Sequence, residues 1–252
     1  MGRFASTVEF YARCREPYSS AFFQTVATEL KWLGSEHLLD VGCGPGLLTL
    51  GFAPYVGEAV GIDPEPGMLQ AAHAAAMDAK ANVTFLHSRL EDFPTSQRFD
   101  IITIGRALHW LKRPAALRKI DELLTNDGCV LICGATTLES AESPWLKSFN
   151  DTRRRYVTED ESIYRKNGAD WFAETHFVEG ESIAVVDERE VTVDELVGRA
   201  LSRSNTSPEM LGDRRAEFED ELRAALKPFS ESASLKEKIG SRATVFLRHT
   251  AR

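Results

Sequence analysis

The chain has 252 residues and a formal net charge of −8, and 43% of its residues are hydrophobic. This length allows one large domain with a full hydrophobic core. The acidic balance disfavours a non-specific nucleic-acid binder, which needs a clustered basic surface. No apolar run approaches the roughly 20 residues of a membrane span, and the first residues lack the apolar core of a signal peptide. We therefore expect a cytoplasmic protein with no membrane or nucleic-acid partner.

The four cysteines indicate neither a disulfide nor a metal site. They are Cys14, Cys43, Cys129 and Cys133, with no C-x-x-C pair and no histidine at zinc-ligand spacing. Cys129 and Cys133 fall on one face of a predicted strand, where a rise of roughly 3.3 Å per residue separates them by about 13 Å. That distance is too long for a disulfide. We predict buried thiols and no metal.

The first 20 residues predict an N-terminal arm. Aromatic residues alternate with arginines there, and Pro17 prevents one continuous helix. On residue pattern alone, this segment packs across the domain. Residues 20–33 then show apolar spacing of three and four, which predicts a helix that ends near Gly34.

The organisation of the chain centres on the stretch from Leu38 to Thr49. It reads L-L-D-V-G-C-G-P-G-L-L-T, an apolar run, an acid, three alternating glycines and a second apolar run. This order predicts a buried strand, a tight loop and a helix, which together open a doubly wound α/β domain. A nicotinamide-binding loop would have glycine at position 47, where this chain has leucine. A bare structural turn is the alternative interpretation.

The remaining chain alternates strands and helices in the same way. Predicted strands cover 59–62, 83–86, 99–104, 129–134, 177–193 and 244–249, and predicted helices begin near 47 and cover 70–81, 114–124, 194–203 and 208–227. Asn126-Asp127-Gly128 predicts a turn before the fifth strand. No repeat or low-complexity linker separates these elements, so we expect residues 1–252 to form a single domain.

The segment D-V-G-C-G-P-G resembles motif I of the class I S-adenosylmethionine-dependent methyltransferases, and the resemblance covers residues 36–137. It implies a Rossmann-like seven-stranded sheet, mostly parallel with an antiparallel last strand and with helices on both faces. It also implies S-adenosylmethionine as the cofactor and S-adenosylhomocysteine as its product. The residues placed at the cofactor by this motif are Asp40, Gly42, Cys43, Gly44, Gly46 and Leu47.

Asp63 is predicted to bind the cofactor ribose. It follows the second strand, 17 positions after Gly46, close to the ~20-residue offset at which an acid meets a ribose in Rossmann-like folds. A carboxylate there can accept hydrogen bonds from both ribose hydroxyls. The alternative is an acid in the turn that Pro64 begins. Pro64 and Met68, which opens the next helix, are assigned to the same site.

The third strand is followed by the pattern L-E-D-F-P, which resembles the family's A-E-D-L-P segment at the adenine. The match places Leu90 and Glu91 at the adenine edge. Arg89 stands where the family commonly has aspartate, so it is predicted either to stack on the adenine or to be an exposed loop residue.

The fourth strand is followed by G-R-A-L-H-W-L, which resembles an A-L-H-W segment in the branch that includes trans-aconitate-type methyltransferases. The match places Arg106, Ala107, His109 and Trp110 at the methionine end of the cofactor, facing the acceptor. His109 is a candidate general base, because an unperturbed imidazole titrates near neutrality. The alternative is that His109 and Trp110 only shape the pocket by packing.

The arm resembles a family pattern Y-A-x-x-R-x-P-Y that folds over the cofactor. Tyr11, Arg15 and Tyr18 hold the matching positions, whereas Glu16 replaces the commoner proline. The resemblance implies a lid over the site, with Tyr18 as a second catalytic candidate.

Residues 138–175 are predicted to form a cap that selects the substrate. Their helical patches are interrupted and charged, and they include Arg153-Arg154-Arg155. That run is either a solvated face or a site for a carboxylate- or phosphate-bearing acceptor.

The combined prediction is methyl transfer by in-line displacement to an oxygen, nitrogen or carboxylate of a small molecule, by a monomer or homodimer. The alternatives are a methyltransferase of RNA or protein, which the acidic balance disfavours, and a protein that binds the cofactor without turnover.

Overall fold

In this computed structural model the described residues are 7–157, 168–230 and 234–249. Their contacts divide into two compact units. Unit 1 comprises the described parts of Met1–Pro17, Ala135–Asp160 and Val186–Gly240, and unit 2 those of Tyr18–Gly134, Glu161–Val185 and Ser241–Arg252. Residues 1–6 of the predicted arm and 158–167 of the predicted cap lie outside the described residues. The assignment of one domain with an arm and a cap stays a prediction.

The chain alternates helices and strands. The helices are α1 (Val8–Cys14), α2 (Ser20–Glu29), α3 (Leu47–Phe52), α4 (Pro66–Ala79), α5 (Arg113–Leu123), α6 (Leu146–Arg154), α7 (Gly168–Phe172), α8 (Val193–Leu201), α9 (Pro208–Leu211) and α10 (Arg215–Leu226). The strands are β1 (His37–Val41), β2 (Glu58–Asp63), β3 (Thr84–His87), β4 (Phe99–Gly105), β5 (Leu124–Thr137), β6 (Phe177–Val191) and β7 (Leu235–Arg248). No helix within the described ranges is long and apolar enough to cross a bilayer.

The seven strands form one sheet in the order β3-β2-β1-β4-β5-β7-β6. The strand β1 pairs in parallel with β2 and β4, and the parallel arrangement continues to β3 on one side and β5 on the other. The order reverses beside β1, because β2 and β4 lie on opposite sides of it. In open α/β sheets, ligands bind at the carboxyl ends of the strands beside such a switch point.

The last strand, β7, runs antiparallel to β6. Ser182 Oγ lies 3.0 Å from Thr244 Oγ1, and His249 N donates a hydrogen bond to His176 O. Residue numbers therefore rise along one strand as they fall along its neighbour, as in an antiparallel ladder. The predicted Rossmann-like sheet, mostly parallel with an antiparallel last strand, is confirmed.

Both faces of β1, β2 and β4 are buried, which explains their nearly continuous apolar sequences. Leu39 and Val41 of β1 pack into one hydrophobic cluster that includes Ile120 of α5. Leu38 points the other way into a second cluster, to which α2 contributes Phe22. Successive residues of a strand face opposite sides, so the two clusters place helices on both faces of the sheet.

The first helix of unit 2 ends earlier than predicted. The helix α2 stops at Glu29, and Lys31 adopts a φ of +55°. Lys31 N donates to Thr28 O at 3.1 Å and Trp32 N to Ala27 O at 2.9 Å, which is the Schellman arrangement. The stop at Gly34 was therefore wrong, because a left-handed lysine already ends the helix.

The predicted turn at Asn126-Asp127-Gly128 was also wrong. These residues belong to β5, which begins at Leu124. Phe99 pairs with Leu124 and Ile101 with Cys129, so β5 has three more residues than β4 between these two pairs. The extra residues are accommodated as a bulge within a continuous strand.

Unit 1 has a hydrophobic core of its own, in which Trp145, Leu196 and Phe218 are fully buried. The helix α8 begins with a capping box between Thr192 and Glu195. The helix predicted for 208–227 is interrupted between α9 and α10, where Gly212 has a φ of +53°.

Candidate cofactor site

Three glycines in the left-handed region, Gly42, Gly44 and Gly46, build the loop between β1 and α3. Their φ values are +66°, +54° and +84°, a region that other residues adopt at a steric cost. Gly42 N donates to Ile62 O at 2.9 Å, which connects the loop to β2. A Cβ on Gly42 would lie 2.6 Å from the Cβ of Ala107. The loop therefore contacts the segment after β4 at a position where only glycine fits.

The side chains next to this loop are mostly buried. Cys43 packs in a cluster with Leu69 and Phe85, and burial raises the pKa of its thiol well above the ordinary value. Met68 is buried in the first turn of α4, and Leu47 is half-buried at the start of α3. Cys43 is itself part of the glycine loop. Its thiol lies in the core, so the residue contributes its backbone to the surface of the loop.

Asp40 at the end of β1 accepts three hydrogen bonds within the protein. Its Oδ2 accepts from Thr49 N at 3.1 Å and from Thr49 Oγ1 at 2.7 Å. Its Oδ1 accepts from Thr103 Oγ1 at 3.0 Å. The residue is 1% exposed, and burial, partly offset by these hydrogen bonds, raises the pKa of its carboxyl to about 6. The structure thus gives Asp40 a positioning role between β1, α3 and β4, and direct contact with the cofactor stays a prediction.

Asp63 at the end of β2 is anchored differently. Its Oδ2 accepts from Gly44 N at 2.9 Å, and its Oδ1 accepts from Glu65 N at 2.8 Å. Each carboxylate oxygen can accept about two hydrogen bonds, so both oxygens retain acceptor capacity. Burial raises the pKa of this carboxyl, against the lowering effect of the two backbone donors. The carboxylate is fixed beside the glycine loop and can still accept from a ligand.

The segment after β3 lies beside Asp63. Ser88 N donates to Asp63 O at 3.2 Å, and His87 Nε2 donates to Pro64 O at 3.0 Å. The parallel pairing of Asp63 with His87 brings these strand ends to the same edge of the sheet. The adenine residues predicted from the L-E-D-F-P pattern follow directly.

These adenine candidates differ in burial. Leu90 is buried and Arg89 is exposed. Glu91 Oε1 accepts from Lys112 N at 3.1 Å, which ties this segment to the one after β4. The exposure of Arg89 fits both interpretations of that residue, so stacking on the adenine stays a prediction.

The segment after β4 begins with a strained residue, since Arg106 has a φ of +57°. Its guanidinium lies over the ring of Tyr18, 5.1 Å from the centroid. His109 and Trp110 occupy a short 3-10 turn with their rings 4.7 Å apart, and Trp110 is 39% exposed. The ring contact agrees with a packing role for His109, and the general-base role stays a prediction.

The predicted residues of the arm belong to two different units. Tyr18 belongs to unit 2, where its ring stacks on Phe22 at 5.3 Å. Tyr11 and Arg15 belong to unit 1, where the Arg15 guanidinium lies 5.0 Å from the centre of the Tyr11 ring. Their roles at the cofactor, and the catalytic role of Tyr18, stay predictions.

Sequence reasoning did not identify Thr49 and Thr103. Thr103 is fully buried in β4 between apolar residues, and Thr49 is fully buried in the first turn of α3. A buried hydroxyl needs a hydrogen-bond partner, so a threonine inside each apolar run was the available signal. Both hydroxyls donate to Asp40.

Comparisons with known proteins agree with this geometry. A family model described as a methyltransferase domain matches residues 38–128, which include the glycine loop and the ends of β2 and β4. The methyltransferase YcgJ of Bacillus subtilis, which is itself uncharacterised, is 35% identical over 102 residues, 39% of this chain and 40% of that protein. A ubiquinone biosynthesis O-methyltransferase of Nitrobacter winogradskyi is 34% identical over 91 residues, 36% of this chain and 33% of that protein. The matched stretch thus spans less than half the length of these relatives.

Solved structures extend the likeness in fold to most of the chain. The crystal structure of YcgJ has a TM-score of 0.56 and 19% identity, and covers 92% of this chain and 100% of its own. A methyltransferase of Geobacter sulfurreducens, solved with S-adenosylhomocysteine, has a TM-score of 0.55 and 12% identity over 98% of both chains. At these identities the likeness shows the fold.

The residues present fit S-adenosylmethionine. The glycine loop lies at the switch point of the sheet, and Asp63 keeps acceptor capacity on both oxygens for a diol. Neither the family model nor these relatives separate the trans-aconitate branch from others, so that assignment stays a prediction. Residues 38–128 match the model of a methyltransferase domain, and the chain has the Rossmann-like fold of solved methyltransferases.

Proposed function

We propose that the chain transfers the methyl group of S-adenosylmethionine to a small-molecule acceptor. The observation that carries this proposal is the carboxylate of Asp63, held by the N–H groups of Gly44 and Glu65 at the carboxyl end of β2. The Nitrobacter relative is named a ubiquinone biosynthesis O-methyltransferase, and that name supports an acceptor of small size. The net charge of −8 favours such an acceptor over a nucleic acid.

When bound, the cofactor supplies a methyl group already activated by its sulfonium. The protein therefore contributes mainly alignment and exclusion of water, and alignment can lower a barrier by about 7–11 kcal/mol in ideal cases. Asp63 would accept hydrogen bonds from the ribose, and Leu90 and Glu91 would border the adenine. These contacts fix one end of the cofactor so that its other end meets the acceptor in one geometry.

The segment from Arg106 to Trp110 would border the acceptor. If the acceptor is a hydroxyl or an amine, a ring nitrogen of His109 would take the proton that is lost on methylation. A carboxylate acceptor needs no base. In either case the exposed indole of Trp110 would contact the acceptor through its apolar face.

The test is transfer of label from methyl-labelled cofactor to panels of small carboxylic acids, phenols and amines, with bulk RNA and a protein mixture as separate arms. We expect label in the low-mass products with the wild type and with Asp78→Ala, an exposed control on α4. Asp63→Ala should abolish the transfer of label to small molecules when the cofactor concentration is limiting. Label in RNA or protein would contradict the proposal. So would tight binding of S-adenosylhomocysteine with no transfer to any panel, since that identifies a binding protein.

A further inference from the structure

Unit 1 contains a cluster of four arginines, Arg15, Arg153, Arg199 and Arg203, of which only Arg15 is among the predicted cofactor residues. Arg199 is 1% exposed and Arg153 is 5% exposed. Buried guanidinium groups cannot lose their charge at physiological pH and are rarely buried unless they are paired. The partners of each arginine therefore show whether the cluster is complete.

One arginine is fully matched. Arg199 donates to Glu237 from Nη1 at 2.6 Å and from Nη2 at 2.9 Å, which is a bidentate pair. Its Nε donates to Cys14 O at 3.1 Å. Glu237 also lies 3.3 Å from Arg189 Nε, so Arg199 and Glu237 belong to a paired structural base of the cluster.

Arg15 and Arg203 are less completely paired. Arg203 Nη2 donates to Glu16 Oε1 at 2.9 Å, but its buried Nε has no hydrogen-bond partner among the described residues. Arg15 has two such atoms, Nε and Nη1. Arg153 Nη1 donates to the neutral amide of Asn205 at 3.5 Å. Arg15 and Arg203 thus direct buried, unsatisfied N–H groups into one region of unit 1.

Charge in this region is unbalanced in the same sense. Burial lowers the pKa of Arg203 to about 10; Glu16 opposes this shift, whereas Arg15, Arg153 and Arg199 reinforce it. Mutual repulsion of this kind is relieved by a negative ligand. A water molecule could satisfy the N–H groups, but it would leave the positive potential unchanged.

Other atoms of the same two side chains are exposed beside the buried N–H groups. The side chain of Arg203 is 30% exposed, and Arg15 is half-buried. Planar guanidiniums match the geometry of carboxylate and phosphate oxygens. We propose that Arg15 and Arg203, supported by Arg153, form a binding site in unit 1 for the carboxylate or phosphate group of a small molecule.

Binding is tested with the full chain and no cofactor, so the result does not depend on the proposed reaction. The probes are inorganic phosphate and succinate, each titrated by calorimetry at constant ionic strength, with succinamide as the uncharged comparator. We expect saturable binding of at least one anion and none of succinamide. Phosphate and succinate as separate arms decide which anion the site prefers. Absence of saturable binding by both anions would overturn the proposal.

The variants locate the site. Arg15→Gln should weaken anion binding about tenfold or more, as expected for loss of a charge-assisted bond, whereas Arg13→Gln, an exposed change on α1 two residues earlier, should not. Glu16→Gln removes the competing carboxylate and should strengthen binding. If Arg15→Gln does not fold, Arg15→Lys serves the same purpose, since it keeps the charge but loses the planar fork. Unchanged binding in the Arg15 variant, or equal weakening by Arg13→Gln, would overturn the assignment.

Discussion

Two aspartates at the ends of adjacent strands show how hydrogen-bond partners separate structural from ligand-binding roles. Asp40 receives three hydrogen bonds and is almost completely buried, whereas Asp63 receives two from backbone N–H groups and keeps capacity on both oxygens. The two carboxylates are the same residue type in neighbouring strands. Their different surroundings lead to opposite expectations for substitution.

Asp63→Ala is expected to weaken the binding of S-adenosylhomocysteine by about 2–3 kcal/mol, because it removes charge-assisted hydrogen bonds to the ribose. Calorimetry measures this directly. Asp78→Ala, an exposed change on α4, should leave the affinity unchanged. If Asp63→Ala folds and binds as tightly as the wild type, Asp63 is only a turn residue.

Asp40→Asn is expected to change how stability depends on pH. The folded pKa of Asp40, about 6, lies above the ordinary aspartate pKa of 3.8, so the folded protein keeps a proton that the unfolded chain releases. This contribution to stability is present below pH 3.8 and is lost as the pH rises to about 6. The loss is about 3 kcal/mol at 1.36 kcal/mol per unit.

Urea unfolding of the wild type and Asp40→Asn between pH 4 and 8 checks this expectation. The difference in unfolding free energy should shift in favour of Asp40→Asn up to about pH 6 and then stay constant. The raised pKa of Asp63 is present in both proteins and largely cancels in the difference. Parallel curves throughout would show that Asp40 does not carry a raised pKa.

His109→Gln separates chemistry from packing. If His109 is the base, the variant should flatten the acidic limb of the rate–pH profile and leave the affinity for S-adenosylhomocysteine unchanged. The alternative is that His109 only packs against Trp110, whose ring it contacts. If the rate–pH profile of His109→Gln keeps the wild-type shape, His109 has only the packing role.

At the scale of elements, the arm contains a helix with fixed contacts. Phe10 of α1 packs against the core of unit 1, and a Cβ on Gly198 of α8 would lie 2.4 Å from Cys14 Sγ. Glu16 pairs with Arg203 immediately after α1. These contacts favour the packed arm over the lid, although the lid hypothesis has still to be tested.

Deletion of residues 1–18 is therefore expected to destabilise the protein by several kcal/mol, because Arg203 loses the buried carboxylate of Glu16. Amides of residues 8–14 should be protected from hydrogen exchange before S-adenosylhomocysteine is added. Glu9→Gln, an exposed change on the same helix, should have little effect. If these amides become protected only when S-adenosylhomocysteine is added, the result would support the hypothesis that the arm is a lid.

At the scale of the whole molecule, the cofactor is expected to act on unit 2. S-adenosylhomocysteine at 100 times its dissociation constant should stabilise the protein by about 2.7 kcal/mol. Hydrogen exchange should slow in the glycine loop and after β2 and β3, within residues 42–49, 63–68 and 87–91. Equal slowing throughout unit 1 would contradict a site built mainly from unit 2.

The sequence by itself determined the order of the parallel elements and the position of the cofactor loop. Buried strands need apolar runs on both faces, and a left-handed loop against another segment needs glycine, so both leave local patterns. Such patterns are Leu38-Leu39, the alternating glycines and Asp63 at the end of β2. The L-E-D-F-P and A-L-H-W segments likewise follow the ends of β3 and β4, as predicted.

Only the tertiary structure decided which polar groups are already satisfied. Thr49 and Thr103 donate hydrogen bonds to Asp40 from positions 9 and 63 residues away, and Arg203 meets Glu16 across 187 residues. The helix stop at Lys31 and the bulge in β5 also depend on contacts beyond local propensity. Hydrogen-bond partners are set by the folded path of the chain, and sequence spacing carries no signal for pairs this far apart.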